Sequence, residues 1–237
     1  LAAKESLFSL SSGVITNLTS GRGIIIVADD VDFHSGDDLV SSVGDLILKT
    51  KTQTQNYRVG NTAQSTYGRD YSTAGATGYF DFGMQDLSAL KDGFHTITIG
   101  HKAPGVTMYV GDMKDVVLGD FNFKAMLTDE ATLLADRINV MGNVQSTDKM
   151  TFDARLMEVQ RQNFQDPLGI PDSGVLARET AITLTEQLLV SGWIKGEESV
   201  SINVAGSTGE GGMVGYGAEI NSVTTDKACL HRQDVDI

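Results

Sequence analysis

Asp29, Asp30, Asp32, Asp37, Asp38 and Asp45 crowd one short stretch, and clustered carboxylates can do two kinds of chemistry. Several oxygens converging on one point bind calcium, and two at a fixed separation serve as acid and base in glycoside cleavage. For calcium the turn Ser35-Gly36-Asp37-Asp38 is the candidate, with Asp37 and Asp38 as ligands. A solvated turn is the plainer reading, because neither the glycine-rich nonapeptide nor the helix-loop-helix calcium loop occurs. For polysaccharide cleavage the available pairs are Asp30 with Asp32 and Asp148 with Asp153, and nothing around either pair orders it into acid and base.

Other reactive residue types are scattered. His34, His95, His101 and His231 do not repeat at the spacing of a zinc site, which needs three or four converging ligands. No Gly-x-Ser-x-Gly elbow supports Ser-His-Asp chemistry. The glycine-rich run 209–218 lacks the Lys-Ser/Thr of a phosphate loop and reads as a surface loop. Trp193, beside Gly192, is a sugar-stacking platform or core filling, with burial the expectation. Cys229, the single cysteine, stands between Ala228 and Leu230 and reads as a small buried hydrophobe; alone it forms no intrachain disulfide and no thiolate cluster. No catalytic residue and no cofactor is assigned beyond the calcium candidate, and the expectation is that the chain is not an enzyme.

The elements that must position these residues are strands. Twenty-six Gly against three Pro, with 41% hydrophobic residues, fits many tight turns between short extended segments around a continuous core. Residues 23–33 and 39–50 are Ile- and Val-rich runs broken by Gly-Asp pairs. Similar phrases return at 133–144 with 146–159, and at 182–194 with 196–204. Setting Phe33, Val140 and Val190 equivalent places Val31, Ile138 and Leu188 two residues earlier and Gly36, Gly142 and Gly192 just after. The next strand follows at Met150 and Val200, ten residues on, and at Leu46, thirteen on.

Alternation puts Val31, Phe33, Ile138, Val140, Leu188, Val190, Val200 and Ile202 on a core face, with Asp30, Asp32, Asn139, Ser201 and Asn203 on a wet one. A unit of this kind cannot bury its apolar row alone, so stacking into a parallel β-helix, a solenoid, is the economical solution. Residues 1–237 are expected to be one such segment of a longer chain. Polar insertions near 51–79 and 160–174 are expected to protrude as loops, where recognition usually resides. Asp86 or a neighbour is expected to cap at most one short helix, near Leu87 to Lys91, with Gly93 at its exit.

The phrase 86–100, Asp-Leu-Ser-Ala-Leu-Lys-Asp-Gly-Phe-His-Thr-Ile-Thr-Ile-Gly, after the coil Gly44-Asp-Leu-Ile-Leu-Lys-Thr50, resembles an element of large bacterial filamentous-haemagglutinin-like or leukotoxin-type filamentous adhesins. The resemblance implies a right-handed parallel β-helix shaft at the bacterial cell surface or outside the cell, with a role in attachment or matrix cohesion. It carries no catalytic residues to transfer. Two alternatives stand beside it: a β-helical polysaccharide lyase or hydrolase, and a self-assembling extracellular filament subunit.

The formal charge of −13 disfavours nucleic acid and anionic lipid as partners. A host or matrix glycan or protein, or neighbouring copies of the chain, are the expected ones. No apolar run of about 18 residues is present to cross a membrane as a helix.

Overall fold

Alternating side chains become parallel pairing in space. The computed structural model describes residues 6–10, 12–33, 37–60, 64–65, 69–70, 78–111, 124–160, 174–205, 212–215, 219–222 and 228–233. Their strands sort into three rows, which the chain visits in turn.

The first row runs from Ile24–Val27 through Leu46–Lys49, Ile97–Gly100 and Ala131–Leu134. It continues through parts of the long strands Lys149–Val159, Gly174–Val190 and Trp193–Ala205 to Ala228–Gln233. Leu46, Ile97, Ala131, Met150, Thr180, Val200 and Ala228 share one register position, which unites the Leu46, Met150 and Val200 strand starts read from the sequence.

The second row holds Tyr79–Phe82, Asn56–Val59, Thr107–Val110 and Arg137–Val140, then the far ends of the first two long strands and Gly212–Gly215. Val140, Val159 and Val190 are register partners, as the aligned valines require. Leu7–Leu10 pairs with Asp30–Phe33, and the amide of Asp81 donates to Asp30 Oδ1 (3.2 Å), joining that pair to Tyr79–Phe82. The third row comprises Ile15–Asn17 with Val40–Ser42, a bridge from Val40 to Leu90, and a ladder from Lys124–Leu127 through Asn143–Ser146 to Glu219–Ser222.

Together these form one curled, largely parallel sheet of 16 strands with short flanking pairs and almost no helix. The expected all-β, parallel character is present. Among the described residues the sheet is an open half-barrel and is not closed as a solenoid.

Inward side chains fill the curl. Phe33, Ile138, Val140, Leu188, Val190, Val200 and Ile202 are all buried, as is Val31. An aromatic column crosses the second row: Phe8 meets Phe33 edge-on at 6.2 Å, Phe33 meets Phe82 at 6.0 Å, and Phe80 lies 5.2 Å from Tyr57. Each such pair adds about 0.5–1.5 kcal/mol beyond its buried area. Space reverses chain order here, because Tyr79–Phe82 sits between Asp30–Phe33 and Asn56–Val59. Asn56–Val59 falls inside the polar stretch 51–79 read as protruding, yet it is a wall strand with Tyr57 and Val59 buried. Its inward residues alternate correctly; the flanking polar residues hid them.

Corners are built from repeated backbone contacts. The amides of Asp29 and Asp30 both donate to Ser6 O, those of Asp136 and Arg137 to Val106 O, and those of Arg155 and Leu156 to Asp136 O. At the last of these the ladder between Lys149–Val159 and Gly174–Val190 shifts register, one residue of the first strand standing opposite two of the second, where both long strands pass from one row to the next. Gly111, at φ +78°, ends one rung where an added Cβ would fall 2.8 Å from the backbone of Gly142, so glycine is required there.

Among the described residues the one helix is Met84–Ser88, three residues earlier than the expected 87–91. Asp86 stands inside it, where its Oδ2 accepts the Gly83 amide (2.9 Å), an orphan donor of the first turn. The chain leaves the helix at Ala89, ahead of Gly93.

Candidate functional site

The acidic stretch does not converge. Asp29 is buried, and its carboxylate accepts from the amide and hydroxyl of Ser6 (3.0 and 2.9 Å) and the amide of Thr52 (2.6 Å). Burial alone would raise its pKa, but these hydrogen bonds outweigh it and hold the group below the usual range. Asp30 Oδ1 accepts the amides of Val31 (2.9 Å) and Asp81 (3.2 Å). Asp45 is exposed beside His95 (2.9 Å) and Thr96 (3.0 Å), and the His95 hydrogen bond lowers its pKa. Asp37 and Asp38 are exposed, and the Asp38 amide donates to Ser88 O (3.2 Å). No group of three or more His, Cys, Asp or Glu side chains gathers as metal ligands among the described residues.

Asp86 is the most perturbed of these groups. Its Oδ1 accepts the Phe33 amide (2.8 Å), so one carboxylate ties the helix to the strand Asp30–Phe33. Burial pushes its pKa up to about 7, against the pull of the Phe33 and Gly83 amides and with Asp32 and Asp30 adding repulsion. Sequence reading reached the residue only as a cap.

The histidines part company. His95 binds Asp45, whereas His101 closes a partly buried clasp beyond the other end of Ile97–Gly100. His101 Nε2 lies 3.0 Å from the carbonyl of Gln53, which can only accept, so Nε2 carries the proton. Nδ1 then accepts from the Tyr57 hydroxyl (2.6 Å), whose oxygen accepts the Thr50 amide (2.9 Å). This arrangement holds a corner in place and leaves no open nucleophile. His34 lies outside the described residues, as does the side chain of His231.

Asp148 and Asp153, the second pair weighed for polysaccharide cleavage, are engaged separately. Arg178 clasps Asp148 through Nε (3.1 Å) and Nη2 and reaches Glu198 of the next rung (3.5 Å), while Lys102 binds Asp153. At another corner Arg155 clasps Asp136 (2.8 and 3.0 Å) and Glu186 (2.7 Å). The arginine hydrogen bonds hold Asp136 and Asp148 below the usual carboxylate range. Each guanidinium thus stitches three successive rungs together.

The feature that sequence reading missed is a column on the outer face of the second row. Register places Asp81, Arg58, Tyr109, Asn139 and Glu158 side by side on adjacent strands. Arg58 Cζ sits 3.7 Å from the centre of the Tyr79 ring, and Tyr79 meets Tyr109 edge-on at 6.2 Å. Arg58 Nη1 lies 3.7 Å from Asp81 Oδ1, and Asn139 is buried with its Oδ1 unsatisfied. Rings, guanidinium, carboxylates and amide at strand spacing can stack on and hydrogen-bond a polar ligand such as a glycan. The signal was present only as outward positions of strands whose pairing order inverts the chain order.

Trp193 was expected to be buried. It instead occupies an outward position, half-buried, while its neighbour Ile194 points into the core. Its ring lies against Gly174, where an added Cβ would fall 2.1 Å from ring carbons, and Lys195 Nζ stands 5.5 Å from its centre. Asp129 is a further buried carboxylate, with its pKa raised by burial against the pull of the Gly93 and Phe94 amides, and raised further by nearby Asp92. The side chain of Cys229, most of 209–218 and nearly all of 160–174 lie outside the described residues. No helix among the described residues is long and apolar enough to cross a membrane.

Comparison of the chain with family models, curated proteins and solved structures returned no match.

Proposed function

We propose that the chain is a structural and adhesive segment of a secreted or cell-surface bacterial filamentous protein. In this reading it is a right-handed parallel β-helix whose shaft displays outer-wall residues and loops for attachment or matrix cohesion. The observation that carries the reading is the in-register repetition of three strand rows. Such stacking makes a rod whose length is set by rung number and whose outer faces are free to vary. The arginine clasps support it, because they reinforce contacts between rungs; Arg178 and Lys102 also occupy Asp148 and Asp153, one of the two pairs weighed for cleavage. The column Asp81–Arg58–Tyr109–Asn139–Glu158 is the proposed contact face for a host or matrix glycan or protein.

The test is binding of the purified chain to arrays of glycans and matrix proteins, beside an Arg58→Ala/Tyr109→Ala variant. Selective binding that the variant loses, with its circular dichroism unchanged, is the expected result. Absence of binding across both arrays, or turnover of a polysaccharide, would count against the adhesive reading.

A further inference from the structure

Where the third row turns into the first, carboxylates recur corner upon corner: Asp45, then Asp92, then Asp129 and Glu130, then Asp148. Most of them face a base. Among the described residues His95 binds Asp45 (2.9 Å), Lys149 faces Glu130 (3.5 Å) and Arg178 clasps Asp148. Asp92 and Asp129 are the exception, since no basic side chain among the described residues pairs with either.

That pair spans two rungs. The corner 91–94 lies between the bridge of Val40 to Leu90 and the strand Ile97–Gly100, and the corner 128–130 lies one rung on, between Lys124–Leu127 and Ala131–Leu134. Asp129 is 6% exposed and reaches back to the earlier corner, where its Oδ1 accepts the Gly93 amide (2.9 Å). Its Oδ2 is buried and has no hydrogen-bond partner. The exposed Asp92 carboxyl comes within hydrogen-bonding reach of the same group, and its charge adds to burial in disfavouring a second anion there. A buried carboxylate oxygen without a donor, beside another carboxyl, is satisfied by a proton or by a cation, and only a cation leaves both groups ionised.

The donors select the ion. Both are carboxylate oxygens, and the nearby imidazole of His95 is taken by Asp45, so a hard cation fits where zinc or copper does not. Two carboxylates match one divalent charge. Calcium accepts an irregular shell that water completes on the exposed side of the turn, whereas magnesium demands near-octahedral geometry.

We propose that Asp92 and Asp129 hold a calcium ion, which staples the corner 91–94 to the corner 128–130 of the next rung. Asp37 and Asp38, the ligands suggested by the sequence, take no part in it. The site is independent of the adhesive reading, which array binding tests separately.

Calorimetric titration of calcium chloride into the metal-stripped 237-residue chain tests it, at about 0.15 M salt so that diffuse attraction to the acidic wall is screened. One saturable site with a dissociation constant of about 0.1–1 mM is expected, as suits two protein carboxylates with water completing the shell. At ten times that constant calcium should raise the midpoint of thermal unfolding by about 3–6 °C. Asp92→Asn, at an exposed position, is expected to weaken binding at least tenfold and to abolish the thermal shift. Asp129→Asn retains an acceptor for the Gly93 amide and should do the same, giving a second reading from the other corner. Asp37→Asn makes the same charge change elsewhere and should bind like the parent chain. A parent chain that neither binds calcium nor shifts its midpoint, an Asp92→Asn chain that binds as the parent does, or an Asp37→Asn chain that loses binding equally, would each overturn the proposal.

Discussion

Asp86 is the carboxyl most displaced from its ordinary pKa in this fold, and Asp129 acts in the same sense. Asp86 keeps its proton in the folded chain up to about pH 7, whereas the unfolded chain releases it near the ordinary value of 3.8. Between those values the folded state binds more protons, so stability falls as pH rises through that window and is constant above it. That window is worth about 4 kcal/mol, as an upper bound. Asp29, Asp45, Asp136 and Asp148 act in the opposite sense. Their pKa values are lowered, so their stabilisation is complete above 3.8 and is lost as pH falls further. Urea unfolding is therefore expected to show greater stability at about pH 5 than at about pH 8, and Asp86→Asn should flatten the difference. Equal stability at the two pH values in the parent chain would mean that Asp86 is not buried as described. Tyr57 gives a neutral counterpart. Tyr57→Phe leaves the buried Thr50 amide and His101 Nδ1 without their partner, an expected loss of about 1–3 kcal/mol in the same urea experiment.

Strands and corners fail in different ways. Phe33 is fully buried and bridges Phe8 and Phe82, so Phe33→Ala opens a cavity between rungs and is expected to cost about 3–5 kcal/mol. Arg155 is a third or more exposed, and solvent screening limits Arg155→Ala to about 1 kcal/mol despite its three short contacts. Gly174 is sensitive because Trp193 occupies the space of its missing Cβ. Gly174→Ala should destabilise by about 1–3 kcal/mol, and much of that loss should vanish in a Trp193→Ala background. A double-mutant cycle with additive effects would mean that the two do not touch. These contrasts also explain what was readable in the sequence. Inward rows announce themselves by alternation, so Phe33, Val140 and Val190 could be aligned across the rungs that separate them. The intervening members Val59, Val110 and Val159 were left out of that alignment because polar neighbours or long turns break the phrase around them. Helix placement slipped by three residues because Asp86 was read as the residue before the first turn, while its carboxylate reaches back from within it. The outer column was unreadable for a deeper reason: Asp81, Arg58 and Tyr109 become neighbours only once Tyr79–Phe82 is inserted ahead of Asn56–Val59, and no local pattern encodes that order.

At the scale of the whole molecule, each rung touches chiefly the rungs on either side, so stability is a sum of rung and interface contributions along one axis. Interior rungs have two interfaces and the outermost ones have one. Among the described residues Ile24–Val27 pairs on one side only, while Leu46–Lys49, Ile97–Gly100 and Ala131–Leu134 are held on both. Opening of the edge strand therefore breaks one ladder, and opening of an interior strand breaks two and exposes residues such as Leu46, Leu48 and Ile99 that are fully buried. Native-state amide hydrogen exchange on dilute, monomeric chain should follow that order, with amides of 24–27 exchanging fastest within the first row and protection rising through 46–49 to 97–100. Uniform protection along the row in dilute solution would show that the rungs unfold as one cooperative unit, and the one-dimensional description would have to be abandoned.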